Sequence, residues 1–128
     1  MWALAGALAL SMAAVAYRHA DLRGSEPARD SRLAAPPRRI ELWFTARPQL
    51  PFSRIRLAGP HGDVALGRLA LDTGNALRAD IMMPLGLGDY RVLWQTASAD
   101  GHSISGEYGF AVVAPSDTAS RQPAHAAS

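Results

Sequence analysis

The feature that most constrains the fold is an apolar repeat with a period of two residues. Apolar side chains alternate with more polar ones in the segments 40–44, 54–57, 90–96 and 108–112. Because a β-strand sends successive side chains to opposite faces, each segment predicts a strand with one buried face. Clusters of Gly, Pro, Asn and Asp separate the segments and predict turns. The pattern therefore predicts an antiparallel sandwich or barrel and requires no helix.

The two ends of the chain differ from this middle part. Residues 1–17 carry no charged side chain, and an apolar run ending in the small residues Ala14-Val-Ala16 predicts a signal peptide over residues 1–16. An uncleaved membrane anchor is the alternative. Residues 115–128 are rich in Pro, Ala and Ser and predict a disordered tail. The folded domain is expected over residues 19–114.

Composition excludes several classes of protein. The chain contains no cysteine, which excludes disulfides, thiolate metal sites and cysteine nucleophiles. Its length of 128 residues leaves room for one small domain. All 13 basic residues are Arg, they are scattered along the chain, and the net charge is only +2. This distribution argues against nucleic acid as a partner.

The most informative chemical motif is Asp100-Gly-His102. In an extended segment, residues two apart point to the same side, and Gly101 lets the backbone bend so that carboxylate and imidazole can converge. An ordinary Asp-Gly hairpin turn followed by an exposed histidine is the alternative. Nearby serines, including Ser98, suggest a hydrolase triad. However, no Gly-x-Ser-x-Gly elbow is present and the three residue types lie too close together in sequence.

The surroundings of this motif show a resemblance to a known family. Residues 19–33 begin His-Ala-Asp-Leu and contain Ser-Glu-Pro-Ala, and Ile-Glu-Leu-Trp-Phe follows at 40–44. Near the other end, Leu-Gly-Asp-Tyr-Arg-Val-Leu-Trp at 87–94 precedes Ser-Ala-Asp-Gly-His at 98–102 and Gly-Glu-Tyr-Gly-Phe at 106–110. In order and spacing, these segments resemble the CopC family of periplasmic copper-binding proteins.

This resemblance implies an all-β, Ig-like or cupredoxin-like Greek-key β-sandwich of about seven strands with a Cu(II) site. The ligands that it implies fall on His19, Asp100 and His102, with the terminal amine as a further donor. Two imidazoles, an amine and a carboxylate suit tetragonal Cu(II), although zinc also fits this donor set. The implied function is to sequester or carry Cu(II) in the periplasm by ligand exchange, without catalysis. The implied protein is a monomer, and its implied partner is an inner-membrane copper transporter of the CopD type.

The first departure from the family pattern concerns the N-terminus. Cleavage after Ala16 would leave Tyr17-Arg-His19 at the start of the mature chain, with the histidine third. The amine, two deprotonated amides and this imidazole could then form a square-planar chelate by themselves. On this hypothesis, copper binding depends on His19 and survives the loss of Asp100.

Two further departures concern Met and acidic residues. Only Met82 and Met83 follow the apolar N-terminal run, so the chain lacks a Met-rich Cu(I) segment, and both are predicted to fill gaps in the core. The family often has an acidic residue just after the Phe of its first core strand, where this chain has Thr45-Ala46; Asp21 could substitute for it.

Two functions compete with copper carriage. The first is an Ig-like structural or adhesion module in which Asp100-Gly-His102 is merely a turn. The second is an oxidative copper enzyme, because an N-terminal His with a second His resembles the histidine brace of polysaccharide monooxygenases. The anionic Asp100 would favour Cu(II) over redox cycling, so this possibility ranks last.

Overall fold

The computed structural model describes residues 21–115. The predicted signal peptide over residues 1–16, the predicted ligand His19 and residues 116–128 of the predicted tail lie outside the described residues. Within the described range, no helix is long and apolar enough to cross a membrane.

Residues 21–115 form two packed β-sheets. One sheet has the strand order β1-β3-β7-β6, and the other has the order β2-β9-β8-β4-β5. The strands are β1 (Leu22–Glu26), β2 (Arg32–Leu33), β3 (Arg39–Phe44), β4 (Arg54–Gly59), β5 (Gly62–Val64), β6 (Ala70–Asp72), β7 (Ala76–Asp80), β8 (Gly88–Ala97) and β9 (Ser103–Val112), and a 3-10 turn covers Leu50–Phe52. The predicted all-β sandwich is confirmed. The strand number exceeds seven because β2, β5 and β6 are only two or three residues long and too short to show alternation.

The core lies between the sheets and is built from the alternating residues. Ile40, Leu42 and Phe44 of β3 are fully buried, as are Leu57 of β4 and Val92 of β8. From β9, the inward side chains Tyr108, Phe110 and Val112 belong to the same cluster. The buried faces predicted from the period of two are therefore confirmed.

Several contacts define one end of the sandwich, which we call the loop end. Leu22 at the start of β1 pairs with Phe44 at the end of β3. The Phe44 ring meets the Trp94 ring edge to face at a centroid distance of 5.3 Å, near the end of β8. The Gln49 amide then donates a hydrogen bond to the Ala97 carbonyl at 3.0 Å. The start of the described chain and the β8–β9 loop therefore lie at the same end.

The core prediction for the two methionines is wrong. Met82 and Met83 are 63% and 55% exposed. Strand β7 ends at Asp80, Ile81 forms an isolated bridge to Leu66, and the Met82 amide donates to the Ala65 carbonyl at 3.0 Å. Because both methionines follow β7 at the end opposite the loop end, no facing sheet covers them.

Candidate metal centre

The candidate site is built on the β8–β9 hairpin loop. The Gly101 amide donates to the Ser98 carbonyl at 2.9 Å, and the Ser98 amide donates to the His102 carbonyl at 3.0 Å. Gly101 has φ +89°, in the left-handed region that glycine adopts without strain. The bend predicted at this glycine is present, and the loop closes β8 onto β9 at the pair Ala97 and Ser103.

The loop brings the carboxylate and the imidazole of the motif together. Asp100 Oδ2 lies 2.7 Å from His102 Nδ1. Asp100 Oδ1 accepts a hydrogen bond from the Ser98 hydroxyl and a longer one, at 3.4 Å, from the His102 amide. The Asp100 side chain is 14% exposed, whereas that of His102 is 64% exposed. The carboxylate is held within the loop while the imidazole reaches into solvent.

These hydrogen bonds also set the charge and the tautomer of the pair. The hydrogen bonds from Ser98 and then from His102 hold the pKa of Asp100 well below its usual range. An ionised carboxylate can only accept hydrogen bonds, so His102 Nδ1 carries a proton. In a neutral imidazole the lone pair then resides on Nε2, which is the arrangement found in metal sites where a carboxylate orients a histidine.

The same contacts argue against a hydrolase triad. The Ser98 hydroxyl donates to Asp100 rather than to the imidazole, and Ser98 is only 3% exposed. A serine nucleophile must give its proton to the imidazole that acts as the base. Here Asp100 lies between them, because it accepts from Ser98 through one oxygen and contacts His102 through the other. The loop is organised to present His102, not to activate Ser98.

The third predicted ligand, His19, lies outside the described residues. Within residues 21–115, no group of three or more His, Asp or Glu side chains could hold a metal ion. The described chain begins at Asp21, whose amide donates to Thr45 Oγ1 at 2.9 Å and whose carbonyl accepts from the Thr45 amide at 2.8 Å. These bonds fix Asp21 at the loop end, and its side chain is exposed in the structure.

A buried polar contact behind the loop was not predicted from the sequence. The Ser53 hydroxyl donates to the Gln49 carbonyl at 2.7 Å, which leaves Thr96 to donate to Ser53 at 2.6 Å. Thr96 is 1% exposed and continues the inward face of β8. Thr96 stands at a position of β8 where the alternation calls for an apolar residue. Because buried hydroxyl groups are hydrogen-bonded, this position could have indicated a buried partner.

Comparisons with known proteins agree with this architecture. The CopC domain family model matches residues 22–113. The copper resistance protein C of Escherichia coli is 33% identical over 118 residues, which cover 85% of this chain and 93% of the relative. Protein YobA of Escherichia coli K12 is 29% identical over 100 residues, covering 75% of this chain and 80% of that protein.

Solved structures show the same relationship. The crystal structure of PcoC, a methionine-rich copper resistance protein from Escherichia coli, superposes with a TM-score of 0.68 at 32% identity, covering 74% of this chain and 99% of PcoC. The crystal structure of CopC from Methylosinus trichosporium OB3b gives a TM-score of 0.68 at 27% identity, covering 76% of this chain and 96% of the other. The chain thus belongs to the CopC family.

Proposed function

We propose that this protein binds copper as cargo and sequesters or carries it in copper homeostasis or resistance, without catalysis. The observation that carries this proposal is the Asp100–His102 pair, joined at 2.7 Å in an exposed hairpin loop. Three of the relatives described above are named as copper resistance proteins or as CopC. The alternative of an adhesion module explains neither the paired side chains nor these relatives.

The proposed ligands are His19, Asp100 and His102, with copper held as Cu(II). In this conformation Asp100 engages Nδ1 of His102, which leaves Nε2 of the imidazole for the ion. Direct ligation by Asp100 would require its carboxylate to turn from Nδ1 to the ion, where its negative charge would favour Cu(II). His19 lies two residues before Asp21, within about 7 Å of chain length. Since Asp21 is fixed at the loop end, this reach supports a role for His19 in the same site.

The exposure of His102 supports carriage rather than permanent storage. A ligand that is 64% exposed can be approached by an incoming donor, so the ion can pass by ligand exchange. We further propose that residues 1–16 direct export to the periplasm, and that a monomer exchanges copper with an inner-membrane transport protein of the CopD type.

The test is a Cu(II) titration of the exported, processed protein, with mass spectrometry to define its first residue. We expect one tightly bound Cu(II) whose electron paramagnetic resonance spectrum shows several nitrogen donors. The variant His102→Ala should bind at least tenfold more weakly, because removing a ligand removes a bond that the loop has positioned. His61→Ala is the matched control, since His61 is an exposed histidine in the β4–β5 turn. Equal affinity in both variants would contradict the proposed site.

The same titration separates this site from the N-terminal chelate. If Tyr17, Arg18 and His19 alone formed the chelate, Asp100→Ala and His102→Ala would retain the high-affinity nitrogen-rich signal, and only His19→Ala would lose it. The three-ligand site predicts that all three variants lose affinity. Loss of all high-affinity binding in Asp100→Ala would rule out the chelate.

A further inference from the structure

We propose that a surface next to the metal loop is the docking surface for the protein that exchanges copper with this one, and that the partner presents an acidic segment with an apolar side chain. This inference rests on the proposed function. The docking surface consists of residues around a cavity of about 430 Å³, among them Gln49, Phe52, Arg54, Gln95 and Ser103.

The apolar part of the docking surface is the 3-10 turn after β3. Phe52 is 65% exposed and Leu50 is 38% exposed. The other large exposed apolar side chains in residues 21–115 are Met82, Met83 and Leu87. They lie at the opposite end, because Leu87 precedes the Gly88–Val112 pair and both methionines follow β7. The turn therefore supplies the large exposed apolar side chains at the loop end.

The turn is held in a fixed position although its side chains are exposed. The Phe52 amide donates to the Gln49 carbonyl at 3.0 Å, and the Ser53 amide donates to the Leu50 carbonyl at 3.1 Å. The Ser53–Thr96 hydroxyl contact and the Gln49–Ala97 backbone bond then tie the turn to β8. A surface that is already ordered loses little conformational entropy on binding, which favours a role in recognition.

The charge of the docking surface selects an acidic partner. Arg54 is the arginine that lines the cavity, and it forms no ion pair within residues 21–115. No acidic residue lines the cavity, and Asp100 directs its carboxylate to Ser98 and His102. A carboxylate of the partner would meet Arg54 without competition from this chain, while an apolar side chain packs on Phe52.

The position of the docking surface explains why it would serve copper exchange. Ala99 and Gly101 of the metal loop line the same cavity, and His102 follows them directly. Transfer of an ion by ligand exchange requires the donors of both proteins to reach it together. A partner seated against Phe52 and Arg54 would contact the loop that carries His102 and could offer its own ligands from there.

The test uses metal-free full-length processed protein and two capped synthetic peptides, Gly-Glu-Phe-Glu-Gly and Gly-Lys-Phe-Lys-Gly. In ¹H–¹⁵N NMR titrations we expect the acidic peptide to shift amide signals of residues 49–54 and 95–103, and the basic peptide to have no such effect. The shifts should weaken with added salt, because the contact between the carboxylate and Arg54 is exposed to screening. Shifts elsewhere, or equal effects of both peptides, would overturn the proposal.

Matched variants then test the two parts of the docking surface. Arg54→Glu and Phe52→Ala should each weaken binding of the acidic peptide at least fivefold. Arg29→Glu makes the same charge change in another exposed turn, and Leu87→Ala removes an exposed apolar side chain at the opposite end. Both controls should bind normally. Weakening by the controls equal to that by the test variants would overturn the assignment.

Peptide binding and copper binding are measured separately, so each proposal can fail without the other. Cu(II) titration of the same variants, followed by electron paramagnetic resonance, reports metal binding without the peptide. If Arg54→Glu binds Cu(II) normally and loses the acidic peptide, both proposals stand. If the wild-type protein binds Cu(II) and shows no peptide response, the docking surface is wrong while the metal site remains. If it binds the peptide and no Cu(II), the metal site is wrong.

Discussion

At the scale of single residues, two buried tyrosines on the inner face of the β8–β9 sheet differ in their hydrogen bonding. Tyr90 is 5% exposed and its hydroxyl donates to the Gly86 carbonyl at 2.8 Å. Tyr108 is 3% exposed, and within the described residues the Ser25 hydroxyl is the side-chain group near its buried hydroxyl, without the distance and angle of a hydrogen bond. The neighbouring Ser25 hydroxyl donates instead to the Pro27 carbonyl at 3.0 Å. Burial raises the pKa of Tyr108 to about 12, because the charged phenolate would lose its hydration.

Removal of each hydroxyl should therefore have a different effect. Tyr90→Phe should lower the free energy of unfolding by about 1 kcal/mol, since a satisfied hydrogen bond is lost and the Gly86 carbonyl loses its donor. Tyr108→Phe should be neutral or slightly stabilising, because it removes a buried polar group that has no partner. Urea denaturation of both variants measures the difference. Equal losses would show that the two hydroxyls are equally well satisfied.

The lowered pKa of Asp100 predicts a pH dependence of stability in the metal-free protein. A carboxyl group with a lower pKa in the folded state stabilises the fold above its unfolded pKa, near 3.8, and this contribution is lost as the pH falls below that value. The stability difference between wild type and Asp100→Asn should therefore be largest near neutral pH and should shrink below about pH 4. Denaturation at a series of pH values measures it. A difference that is constant down to pH 2 would contradict the hydrogen bonds from Ser98 and His102.

At the scale of elements, the β8–β9 hairpin holds both the core and the candidate site. Its ten residue pairs run without interruption from Gly88–Val112 to Ala97–Ser103. In the middle, Trp94 faces Gly106, and the indole lies where a side chain at residue 106 would be. The missing side chain lets the indole pack against Phe44 and close the core near the loop.

Substitution of this glycine should destabilise the hairpin. A Cβ atom at residue 106 would lie 2.6 Å from Trp94 Cζ2, so the indole or the strand must move. We expect Gly106→Ala to cost about 1–3 kcal/mol of unfolding free energy. Gly24→Ala is the control, because its Cβ would lie 3.7 Å from the Trp43 ring, an ordinary contact. A smaller effect at residue 106 than at residue 24 in thermal denaturation would contradict this packing.

The strands differ in how far the sequence could predict them. Strands β3, β8 and β9 are long and half-buried, so their alternation was visible and their buried faces were predicted. Strand β2 has two residues and pairs in parallel with β9, which no local pattern could show. The exposure of Met82 was also not predictable, because apolar character does not reveal where a neighbouring sheet ends.

At the scale of the whole molecule, the sandwich separates its two ends. The loop end carries the Asp100–His102 pair, the start of β1 and the docking surface, and the opposite end carries the exposed methionines. The contact within the pair was predictable because it is local and depends on Gly101. The hydrogen bond between the Ser53 and Thr96 hydroxyls was not predictable, since it joins residues 43 positions apart. The participation of His19 stays a prediction that copper titration can decide.

Strand β9 runs from Ser103, beside the candidate site, to Val112 at the far end. At 3.3 Å per residue these positions are about 30 Å apart. A fluorophore attached at Val113 would therefore sit far from copper bound at the β8–β9 loop and would leave this loop accessible. The same spacing would protect the dye from contact quenching by bound Cu(II).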